Sequence, residues 1–242
     1  MTTKISTRIE TYDVQPNGLV RQSAIFRICQ GVAGDDLDKF GGSFETLVEH
    51  GLTFVITKME IKYFSDIKVY DELEIITRPR GIAGPTFIRD YDILKDGVRV
   101  AYASSHWVLI DFKNRRFCRP SALSAVCELI PDMDDLYPME MRKIHPNLSE
   151  MENIDERTVY YSSIDRNNHM NNTFYPDILF DYLPDSYRDN LAGKTITVQY
   201  TAEIKCGEKF SVYKKESENE FILTANGEDG DKTIFSAVIS ME

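Results

Sequence analysis

The chain of 242 residues has no apolar run near the roughly 18 residues that a membrane-spanning helix requires, so no span is predicted. The N-terminus, MTTKISTRIETYDV, lacks the apolar core of an export signal, and a cytoplasmic address is expected. Its four cysteines, Cys29, Cys118, Cys127 and Cys206, form no C-x-x-C pair and read as reduced thiols. The four histidines, His50, His106, His145 and His169, show no H-x-x-x-H spacing, which leaves few ligands for zinc, and no metal is expected. Neither G-x-G-x-x-G nor G-x-x-x-x-G-K-[ST] occurs, so no nucleotide cofactor is expected. GGSFE at Gly41 to Glu45 lacks the last glycine and the preceding strand of a hydrolase elbow, and a serine triad is not indicated. Positive charge is scarce: 28 Lys and Arg stand against 39 Asp and Glu, and a net charge of -11 disfavours nucleic acid and anionic lipid as partners.

What the chain does have is a core: 42% hydrophobic and 11% aromatic residues exclude wholesale disorder. Alternating β-rich runs occur at Leu52 to Tyr63, Glu72 to Arg78, Thr86 to Leu94 and Arg99 to Phe112. A stretch from Pro131 to Thr158, with Pro131, Pro138 and Pro146 among acidic residues, has neither a period of 2 nor one of 3.6 and reads as a linker. The β pattern then returns at Thr158 to Ile164, Thr195 to Ile204, Lys209 to Lys214, Glu220 to Ala225 and Thr233 to Met241. Each half has one early helical stripe: Ile25, Ile28, Cys29, Val32 and Ala33 in the first, and Phe174, Tyr175, Ile178, Leu179, Tyr182 and Leu183 in the second.

The halves superpose as sequences. IKYFSDIKVYDEL, Ile61 to Leu73, matches VQYTAEIKCGEKF, Val198 to Phe210, at Tyr63/Tyr200, Asp66/Glu203, Ile67/Ile204, Lys68/Lys205 and Asp71/Glu208. The turn Asp96-Gly97 matches Asp229-Gly230. An internal duplication follows, with two α+β units each curving an antiparallel sheet around one helix. The expected division is residues 1–130, a linker over 131–157, and residues 158–242.

The most unusual segment is SSIDRNNHMNNTFYPDIL, Ser162 to Leu179, which crowds Asp165, Asn167, Asn168, His169, Asn171 and Asn172 before a helix. Asp and Asn are common helix caps, but capping does not account for six such residues with a histidine. The pattern D-x-N-x-H-[MV]-N-N-x-x-Y, followed by Y-x-x-E at Tyr200 to Glu203, resembles the catalytic segment of the acyl-acyl carrier protein thioesterases. That resemblance implies a double hotdog fold, hydrolysis of fatty acyl thioesters, and an acyl carrier protein as partner. It also implies an N-terminal unit that acts as scaffold and acyl pocket.

The chemistry suits the residues. A helix start near Asn171 and Asn172 offers N–H donors and partial positive charge to a carbonyl oxygen. Asn167 adds a side-chain donor, and His169 exchanges a proton near neutral pH. Asp165 either orients His169 or attacks the carbonyl itself. By resemblance, Glu203 is the base for water, although alternation along Gln199 to Cys206 equally describes a strand with Glu203 facing solvent. That parity puts Cys206 on the opposite face as a small buried hydrophobe, against a cysteine mechanism. Laying Asp13 to Gln22 over Ser163 to Asn172 pairs Asn17 with Asn167, Gln15 with Asp165 and Leu19 with His169, so one active site per chain is expected.

Two other readings stand beside this one: an acyl-CoA thioesterase on the same scaffold, and an acyl-binding module without turnover. A docking patch for an acidic carrier is expected at Lys113, Arg115, Arg116 and Arg119, with Arg142 and Lys143 a second candidate, although such charge runs are usually solvated loops. A homodimer is left open as the assembly.

Overall fold

The alternating runs become the strands of one antiparallel sheet in the computed structural model. It describes residues 2–241 apart from 135, 136, 138, 140, 229 and 231, so Pro138 and Asp229, named above, lie outside the described residues. The N-terminal unit contains β1 (Thr3–Arg8), α1 (Gln22–Lys39), α2 (Phe44–Glu49), β2 (Leu52–Tyr63), β3 (Glu72–Ala83), β4 (Thr86–Lys95) and β5 (Val98–Asp111). The C-terminal unit contains β6 (Glu152–Thr158), α3 (Tyr175–Tyr182), α4 (Asp185–Arg188), β7 (Lys194–Tyr200), β8 (Lys209–Ser217), β9 (Glu220–Gly227) and β10 (Thr233–Met241).

The sheet order is β1-β3-β4-β5-β2-β7-β10-β9-β8-β6, a palindrome about the β2–β7 seam. Each half has the same order outward from that seam, as duplication requires. β2 and β7 pair from Lys58↔Gln199 to Lys62↔Thr195, and Met59, Ile61, Ile196 and Val198 at the seam are fully buried. One continuous apolar core takes in both units, from Phe26 and Cys29 on α1 to Leu179 on α3 and Phe235 on β10.

The expected helices form with most of each stripe inward: Ile25, Phe26, Cys29, Val32 and Ala33 are buried on α1, and Tyr175, Ile178 and Leu179 on α3, whereas Phe174, expected in the second stripe, is exposed in a 3-10 turn before α3. Pro176 lies in the first turn of α3, where its missing N–H costs least. α1 has no side-chain cap of its own. Asp177 on α3 supplies one, accepting from the Ser23 N–H at 3.0 Å and from the Ser23 hydroxyl. An anionic acceptor at a helix start is favourable twice over, by hydrogen bonding and by the macrodipole. Burial nevertheless lifts the Asp177 carboxyl above the usual range, while the Ser23 hydrogen bonds pull it down.

Two expectations need correction. The stretch read as linker up to residue 157 contains β6, which pairs with β8 from Glu152↔Lys214 to Thr158↔Lys209. The run Thr158 to Ile164, read as a strand, ends its pairing at Thr158 and turns through a short 3-10 helix at Tyr161–Ser163. Upstream of β6 the irregular chain is strapped to the sheet. Arg80 donates to the carbonyls of Asp132 at 2.6 Å and Asp134 at 2.9 Å, Lys58 donates to that of Arg142 at 2.6 Å, and Gln199 exchanges hydrogen bonds with Ile144.

The cap between the two helices is testable. Asp177→Ala is expected to lower stability by about 1–3 kcal/mol, the cost of orphaning donors at a charged acceptor, and Asp177→Asn by less because it keeps an acceptor without a buried charge. Urea unfolding of the three proteins measures this. Equal midpoints would show that the cap contributes nothing.

Candidate active site

The motif folds into a short loop whose backbone is closed on itself. Ile164 and Met170 form an antiparallel bridge, the Asp165 N–H donates to the His169 carbonyl at 3.1 Å, and the Asn168 N–H donates to the Asp165 carbonyl at 3.0 Å. Asn168 takes φ 63°, the left-handed region that Asn tolerates better than most residues. The Asp165 carboxylate accepts from the Asn167 N–H at 2.8 Å, an Asx turn that shapes the loop. The side chain of Asn167 is left exposed at the tip and His169 half-buried beside it.

Glu203 arrives from the other side. The Met170 N–H donates to the Ile204 carbonyl at 2.9 Å, which joins the motif loop to the segment after β7. The His169 Nε2 then lies 3.5 Å from the Glu203 carboxylate, and its Nδ1 lies 3.4 Å from the Met170 carbonyl oxygen. Asp165, Asn167, His169 and Glu203 line one cavity of about 530 Å³. The imidazole therefore faces Glu203, while the hydrogen bond made by the Asp165 carboxylate goes to the loop backbone.

The strand-parity argument fails at this point. β7 ends at Tyr200, because the Thr201 and Ala202 N–H groups both donate to the carbonyl of Ile234, and the chain to Lys205 is irregular. Glu203 is exposed into the cavity by this bend, and Cys206, expected to be buried, is exposed in the following turn. At the helix start, Asn171 caps the Thr173 N–H with its own side chain at 2.9 Å, so that donor is taken.

The first half shows the same backbone put to a different use. Val14 and Val20 form the equivalent bridge, the Gln15 N–H donates to the Leu19 carbonyl at 2.8 Å, and Gly18 takes φ 80° where Asn168 takes 63°. Here Leu19 is buried at 3% exposure and the Asn17 side chain donates to the Arg188 carbonyl at 2.8 Å. Asp66, the counterpart of Glu203, accepts from the Leu191 and Ala192 N–H groups at 2.7 and 3.2 Å. Asn17 and Asp66 are thus tied into the contact between the units, while Gln15 donates to the Val20 carbonyl at 3.3 Å within its own loop.

A second cavity of about 410 Å³ lies in the N-terminal unit, with Ala33, Leu37, Leu47, Ile82 and Phe87 among its apolar walls. Gln30, Phe44, Thr53, Phe54 and Trp107 line both cavities, so they share a wall. Arg166 of the motif loop packs over the Phe44 ring at 3.7 Å and pairs with Glu45 at 3.1 Å, holding α2 against the loop.

Three further residues of the site, named from the sequence, carry no role in the site there. Tyr175 and Tyr200 line the same cavity as His169 and Glu203, their rings 5.7 Å apart. Burial lifts both phenols above their usual range, the Asp165 charge adding to the effect at Tyr175, so both remain neutral donors. Arg115, assigned above to docking, is ion-paired with Glu203 and lines the same cavity. Their signal was the duplication itself, which marks Tyr200 and Glu203 but has nothing to say of a turn outside the repeat.

Among the described residues no cluster of three or more His, Cys, Asp or Glu side chains could hold a metal ion, and no described helix is long and apolar enough to cross a membrane. Two units, each with its strands around a helix and joined at the β2–β7 seam, define a double hotdog protein. Comparison supplies the family. The model of the acyl-ACP thioesterase N-terminal domain matches residues 1–122, and that of the acyl-ACP thioesterase C-terminal domain matches residues 147–237. The chain belongs to the acyl-ACP thioesterase family, and its reaction is hydrolysis of the acyl-ACP thioester.

Solved structures share the fold over the whole chain. An acyl-ACP thioesterase from Bacteroides thetaiotaomicron matches with a TM-score of 0.85 at 21% identity, covering 100% of this chain and 98% of that one. The 12:0-ACP thioesterase from Umbellularia californica matches with a TM-score of 0.77 at 16% identity, covering 100% and 97%. A putative oleoyl thioesterase from Lactobacillus plantarum matches with a TM-score of 0.75 at 20% identity, with the same coverage. No curated protein matches the sequence.

The exposed thiol gives a direct test of the chemistry. Cys206 is outside the cavity lining, so Cys206→Ala is expected to hydrolyse acyl-ACP within about twofold of the parent, as surface substitutions away from a site do. Loss of turnover in the folded variant would bring back a cysteine nucleophile.

Proposed function

We propose that the acyl chain lies in the apolar cavity of the N-terminal unit and its thioester in the polar cavity, where Glu203 and His169 carry out the hydrolysis. The observation that carries this reading is the His169–Glu203 contact of 3.5 Å in a polar cavity whose wall is shared with an apolar one. Glu203 takes a proton from water as the water oxygen bonds to the carbonyl carbon. Asn167 donates to the carbonyl oxygen as negative charge develops there. When the C–S bond breaks, protonated His169 gives its proton to the departing thiolate. The proton on Glu203 then returns to the imidazole across their contact, and the free acid leaves.

Asp165 in this scheme shapes the loop and holds Asn167, the role that its hydrogen bond to the Asn167 N–H supports, and water is the nucleophile. The N-terminal unit is scaffold and acyl pocket, and the C-terminal unit is catalytic. The carrier docks against Lys113, Arg116 and Arg119, which are exposed and flank in sequence the cavity-lining residues Arg115 and Phe117. Arg142 is a poorer candidate because Glu220 already pairs with it.

His169→Ala is expected to lower kcat by about 10²–10⁴-fold, the usual scale for a general acid or base. A variant with near-parental turnover would remove His169 from the mechanism. Reversing Arg116 and Arg119 to Glu is expected to raise KM for acyl-ACP, with a salt dependence set by a Debye length of roughly 8 Å, and to leave hydrolysis of a small uncharged thioester unchanged. Equal effects on both substrates would place docking elsewhere.

A further inference from the structure

We propose that Arg115, from the N-terminal unit, is a positioning residue for the reaction: it holds the Glu203 carboxylate ionised and turned toward His169. This rests on the reading of Glu203 as the base and deepens it, because the catalytic half would then be incomplete without the other half.

The turn carrying Arg115 is built to aim it. The Asp111 carboxylate accepts from the Lys113 N–H at 2.9 Å and the Asn114 N–H at 2.6 Å. The Arg115 N–H donates to the Asp111 carbonyl at 2.9 Å, the Asp111 N–H donates to the Arg116 carbonyl at 2.8 Å, and Ile110 bridges Phe117. Arg115 itself takes φ 54°, a conformation uncommon for a residue with a side chain, and these bonds hold it there. The guanidinium so presented pairs with the Glu203 Oε1, the same oxygen that the His169 Nε2 approaches at 3.5 Å.

Glu203 needs such a partner. It projects from an irregular segment, its side chain is 41% exposed, and fixing a glutamate rotamer in that setting costs entropy. The groups facing it are Arg115 from the turn after β5, and His169 and Asp165 from the motif loop. Lys232, before β10, donates to the Glu203 main-chain carbonyl at 3.2 Å. Arg115 is the cation in ion-pair contact with the carboxylate, and an adjacent cation favours the ionised form. An ion pair this exposed adds little stability, so its loss should show in catalysis rather than in folding.

The test compares the full-length parent with Arg115→Gln, Arg115→Lys and Glu203→Gln, measuring kcat, KM and pH profiles on acyl-ACP and on a small uncharged acyl thioester. With Arg115→Gln, kcat on both substrates is expected to fall by about 10-fold to 10²-fold, the scale of a small misplacement of a catalytic group. KM for the small thioester should stay within about twofold and the thermal midpoint near the parent's, as for the loss of a surface pair. The acid limb of the kcat profile should move to higher pH, because a carboxylate without its cation holds a proton more readily. Arg115→Lys keeps the charge and should leave the limb in place while recovering part of kcat. An unchanged or raised kcat in Arg115→Gln would overturn the proposal, and so would a fall in kcat with the limb unmoved. If instead Glu203→Gln retains parental turnover, it is the reading of Glu203 as the base that fails. Should Arg115→Gln not fold, Arg115→Met, which also removes the charge, takes its place with the same loss of kcat and the same shift of the limb expected.

Discussion

The pairing of β2 with β7 is the constraint on which the rest of the structure depends. Two strands that could each have been an edge close the seam of one sheet, and their buried side chains make two cores into one. The register also sets the site. With Lys58 opposite Gln199, β7 reaches its end next to the irregularity of β2 between Ile56 and Lys58, so Tyr200 and the bend carrying Glu203 come down on the part of β2 that walls the cavities. A slip of β7 by one residue would send Ile196 and Val198 to the wrong face of the sheet. The Glu60 carboxylate, buried and accepting from the Thr197 hydroxyl at 2.6 Å across the seam, fixes that register with a directional bond.

The fold was legible where burial imposes a period and obscure where it does not. β2 was read at its observed bounds because it lies at the centre of the sheet and its side chains obey the core. β6 was missed because ENIDERT forms the outermost strand, exposed along most of its length, and an edge strand guarded by charge shows no apolar alternation. The following residues misled in the opposite sense: Val159 is buried, but Tyr160 and Tyr161 are exposed aromatics on a 3-10 turn, and composition alone made them look like strand.

The site divides in the same way. The motif loop was legible because its polar residues have no structural excuse in such number, and the overlay with Asp13 to Gln22 keeps the bridge and the two turn bonds that close the loop. The position of Glu203 relative to Cys206 was not, since two N–H groups sharing the Ile234 carbonyl end the strand and nothing in Thr201 or Ala202 signals it. Arg115 was hidden for a different reason. Four cations within seven residues read as one patch, and only the left-handed turn, at a residue that is not glycine, separates the one that points into the cavity from those exposed to solvent.

The duplication also shows how one backbone loop serves two settings. In the first half the loop backbone is retained because its hydrogen bonds build the fold, while its side chains have been given to the other unit: Asn17 to Arg188, and Asp66 to Leu191 and Ala192. Leu19 in place of an imidazole suits a position that is almost fully buried, where a polar ring without a partner would be costly. In the second half Asp165, Asn167, His169 and Glu203 line a cavity that shares a wall with the apolar cavity of the first, to which Gln30 of α1 contributes. A symmetric dimer of identical units would have to place both demands on one loop. Fusing the copies lets the two loops diverge: Asn17 and Asp66 of the first half bind the other unit, while Asn167 and Glu203 of the second line a cavity.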